Sequence, residues 1–91
     1  MHAIVVTVTI SDYEAARQQL HERVIPNVKQ MPGFAGGYWL APLDGKGLSI
    51  AVFDSEEHAK AMAAQLRDGA FPVPDSVTFE SVDVREVAGS A

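Results

Sequence analysis

Three histidines, His2, His21 and His58, are the side chains of this 91-residue chain that can exchange a proton near neutral pH. There is no cysteine, so thiol catalysis, thiolate metal sites and disulfides are excluded. Trp39, the single tryptophan, and Tyr13, Phe34, Tyr38 and Phe71 offer aromatic faces on which a flat ligand would stack. His58 and His21 are the candidate catalytic bases, and those five aromatics are the candidate pocket. Each has a plainer alternative. His58 falls in the first turn of a helix, where the positive dipole end disfavours imidazolium while Glu56 and Glu57 favour it; it could equally be a solvated surface group. His21 sits about 100° around its helix from Leu20, at the border of the apolar stripe. His2 opens a strand and has no evident chemistry. The aromatics could instead fill the core or an interface.

Other chemical motifs fail. Gly33, Gly36 and Gly37 do not lead from a strand into a helix, as a dinucleotide fingerprint must. There is no HExxH, no GxSxG and no close pair of histidines. Glu56-Glu57 reads as a helix start before it reads as a metal site. No cofactor and no metal are expected.

The elements that must position these residues follow from periodicity. Residues 3–10 (AIVVTVTI) are rich in β-branched side chains and predict a strand. Ser11 and Glu14 form a capping-box pattern, after which Tyr13, Ala16, Leu20 and Val24 recur at helical spacing. Pro26 predicts a kink or break, with a further turn through Val28 and Met31 before Pro32-Gly33 ends the element. Residues 34–41 and 48–54 predict two strands joined through Pro42–Gly47, where Asp44-Gly45 is a hairpin signal. Asp54-Ser55-Glu56-Glu57 starts a second helix with Ala59, Met62, Ala63 and Leu66 as its buried stripe, and Gly69 stops it. A last strand spans about 77–87. Its alternation slips between Val77/Phe79 and Val82/Val84, which predicts a β-bulge near Glu80-Ser81.

The order is β-α-β-β-α-β. With right-handed crossovers it predicts an α+β, ferredoxin-like plait: a four-stranded antiparallel sheet with two helices on one face. Residues 1–91 are expected to form one domain, with 88–91 a short tail.

The other face of that sheet is the difficulty. Ile4, Val6, Val8 and Ile10 oppose Val5, Thr7 and Thr9. Phe34, Tyr38 and Leu40 oppose Ala35, Trp39 and Ala41, and Leu48, Ile50 and Val52 oppose Ser49, Ala51 and Phe53. No charged residue interrupts these strands. Two helices cover one face, and the second, carrying Val5, Trp39 and Phe53 or their opposites, is too apolar to leave in water. A second copy of the chain, sheet against sheet, is the simplest cover.

Composition agrees with a folded protein: 47% hydrophobic and 21% charged residues. Size scaling gives a monomer of this length roughly 5,000 Å² of surface, a thin margin that association would improve. Twelve acidic against seven basic residues leave a charge of −5, which argues against nucleic-acid or anionic-membrane partners. No apolar run reaches membrane-spanning length. Met1-His2-Ala3-Ile4 lacks the basic start of a secretory signal, so the expected location is cytoplasmic.

Val24-Ile25-Pro26 followed by Met31-Pro32-Gly33-Phe34, and Val52-Phe53-Asp54-Ser55-Glu56-Glu57-His58-Ala59 entering the second helix, give nearly the whole chain a resemblance. It resembles the dimeric α/β-barrel superfamily, in the antibiotic biosynthesis monooxygenase (ABM) branch, and is most similar there to short actinobacterial members of unassigned function. The resemblance implies a homodimer with a cavity between sheet and helices in each subunit. It further implies a cofactor-independent monooxygenase of aromatic or polyketide-like compounds, or else a non-catalytic ligand-binding or structural dimer. In such an oxygenase a deprotonated phenol itself passes an electron to O₂; the protein supplies an apolar pocket, a base or anchor, and shelter from water. Quinone-forming relatives lean on asparagine and tryptophan; here Trp39 is present and the only asparagine is Asn27. Haem-degrading relatives use a strand-1 asparagine, where this chain has Thr7-Val8-Thr9, and a late helix-2 histidine, which residues 61–68 lack. Haem degradation is therefore disfavoured.

Overall fold

The β-branched run at the start of the chain becomes the centre of the sheet. The computed structural model describes residues 1–91, and β1 (His2–Ile10) pairs antiparallel with both β3 (Lys46–Phe53) and β4 (Val77–Glu86). β2 (Phe34–Leu43) pairs with the outer side of β3, giving the strand order β2-β3-β1-β4. This is the expected ferredoxin-like sheet. The β2–β3 connection is tighter than the sequence suggests: Leu43 pairs with Lys46, leaving Asp44-Gly45 as a two-residue turn. Asp44 and Gly45 have φ of 53° and 78°, the signs a type I′ hairpin requires.

The helices occupy one face. The first is a three-part arm: α1 (Tyr13–Gln19), a π-helical turn (Leu20–Val24) and α2 (Ile25–Lys29). Its cap is Asp12, whose carboxylate accepts from the Ala15 amide, and not Ser11. Ser11 is held by the sheet instead, since its amide and its hydroxyl both donate to the Ser76 carbonyl. Pro26 does not break the arm. The turn before it widens to π geometry, so a residue without an N–H is carried through. The Asn27 side-chain amide donates to the Arg23 carbonyl at 2.7 Å. The second helix, α3 (Glu56–Arg67), is capped by Ser55, which accepts from the His58 amide. It buries Ala59, Met62 and Ala63 against Ile4, Val6, Phe53 and Val82.

Two bulges decide which side chains meet. β1 and β4 shift register between Thr7, opposite Ser81, and Val8, opposite Phe79, so Glu80 is the extra residue. The slip therefore falls where the alternation predicts it. Val77, Phe79, Val82 and Val84 all turn to the helices, and Glu80 is left to accept from Thr9 on the other side. β2 has two shifts against β3; beside the one near the hairpin, between Leu40 and Leu43, the other lies between Phe34, opposite Phe53, and Gly36, opposite Val52. This moves Phe34 away from the face of Tyr38 and Leu40 and sets it edge-on to Phe53, ring centres 5.9 Å apart. The face assignment from sequence is corrected accordingly. Trp39 and Phe53 lie on the helix side with Ile4 and Val6, whereas Val5 shares the outer face with Tyr38, Leu48, Ile50 and Val52.

That outer face has no helix over it. Tyr38 is 73% exposed and Leu40 49%. The accessible surface of the chain is 5746 Å², above the roughly 5,000 Å² that scaling predicts for a monomer of this size. No helix is long and apolar enough to cross a membrane.

Candidate functional site

The arm and the sheet do not close on each other. Between them is a cavity of about 360 Å³, within the usual range of small-molecule sites. Its floor is the inward row of β1, from Ile4 to Ile10, with Trp39 of β2 and Ser49 of β3 beside it; the register pairs Trp39 with Ser49 and Ser49 with Val6. Ala16, Leu20 and Val28 of the arm form its roof. Met62 and Leu66 of α3 and the Phe71–Pro74 loop close an end. A side chain added at Gly37 would meet the Trp39 ring and the Ile50 carbonyl, so that glycine leaves the indole its place across the strand.

Twenty of the 26 lining residues are hydrophobic, which favours an apolar ligand. The lining side chains that can ionise or hydrogen-bond are Arg17, His21 and Ser49, with the Tyr13 hydroxyl and the Trp39 indole N–H. Tyr13, Arg17 and His21 follow at four-residue spacing, one stripe along the arm. No aspartate or glutamate lines the cavity.

Of the residues singled out in the sequence, Tyr13, His21, Trp39 and Phe71 are brought together on this wall. Phe71 is also buried core, 6% exposed. His58, Phe34 and Tyr38 lie elsewhere. Phe34 packs on the core beside Phe53, and Tyr38 stands on the outer sheet face. His58 Nδ1 donates to Asp54 Oδ1 at 2.6 Å. That hydrogen bond is the main reason the Asp54 carboxyl is held below its ordinary pKa; desolvation opposes it, and the His58 charge and a bond from Ser55 add smaller lowering effects. His2 Nε2 is 3.4 Å from Glu56 Oε2. Asn27 is exposed on the arm and does not line the cavity. No cluster of three His, Asp or Glu side chains suited to a metal is assembled.

Arg17 and Ser49 are the wall residues that sequence reasoning missed. Arg17 was legible in principle, being four residues after Tyr13 and four before His21. Ser49 carries no such signal, because only the pairing of β2 with β3 puts it next to Trp39.

No family model and no curated protein matches the sequence. Solved structures do match the fold. A dimeric ferredoxin-like protein from an uncultured marine organism aligns with a TM-score of 0.62 and 8% identity, over 100% of this chain and 98% of that one. The monooxygenase from the gene ActVA-Orf6 of Streptomyces coelicolor, solved with nanaomycin D, aligns with 0.60 and 18% identity, over 99% and 89%. The heme-degrading protein Rv3592 from Mycobacterium tuberculosis, heme free, aligns with 0.53 and 20% identity, over 99% and 96%. At these identities the likeness establishes the fold, a ferredoxin-like α+β plait, while chemistry has to be argued from the site.

Proposed function

We propose that this chain is a cytoplasmic homodimer of the ABM-like branch that binds a flat aromatic or polyketide-like compound between arm and sheet and oxygenates it without a cofactor. The observation that carries the reading is the apolar cavity walled by Trp39, with Tyr13, Arg17 and His21 along one edge. His21 takes a proton from the activated carbon or phenol of the bound compound. The resulting anion gives an electron to O₂, and the two radicals combine. For an anthrone, loss of water then turns the CH₂ into a carbonyl; one O₂ is consumed and one water leaves. The apolar wall excludes water from the radical pair. The likeness to the nanaomycin D-bound monooxygenase supports this class of ligand, and the uncovered sheet face together with the dimeric neighbour supports pairing.

A second reading, ligand binding without chemistry, has one observation in its favour. His21 is exposed, and no protein group orients its ring in the way a general base usually needs.

The two separate by O₂ uptake with anthrones and naphthols, comparing wild type with His21→Ala, His58→Ala and Trp39→Phe. An oxygenase consumes O₂, loses it with His21→Ala and retains it with His58→Ala. Four proteins indistinguishable from buffer would leave only the binding reading.

A further inference from the structure

The charges around the cavity are lopsided in a way the whole chain is not. The chain carries −5, yet its cavity wall holds one fixed charge, the Arg17 guanidinium, and no carboxylate. The acid–base side-chain contacts of the molecule are His2–Glu56, Lys46–Glu80, His58–Asp54 and Lys60–Glu56, and Arg17 belongs to none of them. The acids nearest in sequence do not answer it. Asp12 accepts from the Ala15 amide, Glu22 accepts from Gln18 at 3.2 Å, and Glu14, which shares a shallow outer groove of the arm with the exposed Arg17 and His21, forms no ion pair with Arg17. A guanidinium is a planar fork that matches a carboxylate with two parallel hydrogen bonds. Here it stands at the rim of an apolar slot, between a phenol one turn before it and an imidazole one turn after.

We propose that the ligand of this cavity carries a carboxylate at one edge of its ring system, held by Arg17, with the rings lying along Trp39 and the β1 row. The inference rests on the cavity being a ligand site and adds the ligand's charge and orientation. A plainer role for Arg17 would be to cover apolar wall with its methylene stem while its charge stays in water. The two roles differ in what methionine can replace.

The test is calorimetric titration of wild type, Arg17→Met and Arg17→Lys with 2-naphthoate and its neutral isostere 2-naphthamide at pH 7, with thermal melts to confirm folding. Wild type should bind the carboxylate about tenfold more tightly than the amide. Arg17→Met should bind both at the amide's level, and Arg17→Lys should recover part of the preference. Equal binding of both compounds by wild type, or a preference that survives Arg17→Met, overturns the carboxylate inference while leaving the cavity as a binding site. Binding of neither compound overturns both.

Discussion

Asp54 and His58 form a clasp across the β3–α3 junction, carboxylate to imidazole at 2.6 Å, and the backbone of Gly33 runs directly beneath it. The Asp54 amide donates to the Gly33 carbonyl at 2.8 Å, which ties the two loops at this end of the sheet together. Gly33 has φ of 78°, and a Cβ there would collide with both Asp54 Oδ1 and His58 Nδ1. Pro32-Gly33 is thus more than a helix stop: it lets the chain pass under the clasp.

Gly33→Ala should therefore destabilise the protein by about 2–3 kcal/mol, from the left-handed backbone and the displaced hydrogen bond together. Gly36→Ala, at a glycine with open space around it and no positive φ, should stay within about 1 kcal/mol. Urea denaturation of the two variants checks the contrast.

The clasp also predicts a pH dependence with a definite sign. Asp54 is lowered in the folded state, mainly by its bond from His58. A lowered carboxyl contributes stability that is present above the unfolded value, about 3.9, and is lost as pH falls through the lower folded value. Wild type should exceed Asp54→Asn in stability near pH 5–6, and the two should converge in the acid range below the unfolded value. Denaturant midpoints across that range give the curve; a gap that widens toward acid would contradict the assignment.

The outer sheet face predicts association. Val5, Ile50 and Val52 form its centre, with Leu48, Leu40 and Tyr38 beside them and no helix above. Ile50→Glu places a charge in the middle of that patch. Sedimentation should show wild type at twice the chain mass at micromolar concentration and the variant at the chain mass, still folded. A monomeric wild type would remove the dimer from the account.

Much of this architecture was legible from the sequence because it depends on local signals. The Asp44-Gly45 turn, the Ser55 cap and the slip at Glu80 each rest on a few neighbouring residues, and each took the form its residue types favour. What could not be read depends on register. Phe34 follows Pro32-Gly33 and alternates in sequence with Tyr38, yet one bulge at Ala35 puts it on the opposite face. The same phase change decides that Trp39 looks into the cavity and not toward a partner. Ser11 obeys the capping-box pattern but is claimed by Ser76, a contact 65 residues away that no local rule contains. The cavity wall was half legible: Tyr13, His21, Trp39 and Phe71 reach it, while His58, the histidine with the most suggestive position in sequence, is engaged by Asp54 instead.

If the space between arm and sheet is a binding site and not loose packing, a flat aromatic acid must enter it and reach Trp39. The most direct measurement follows the emission of Trp39, the sole tryptophan, during titration with an anthraquinone carboxylate, in wild type and in Ser49→Leu. Leucine at that position, beside Trp39 and Val6, fills the floor with apolar volume and should cost no more than the roughly 1–3 kcal/mol typical of small-to-large changes, because it grows into open space. The account predicts saturable quenching in wild type, one ligand per chain, and its loss in the well-folded Ser49→Leu variant. Quenching that never saturates, or that persists unchanged with leucine in place, would contradict it.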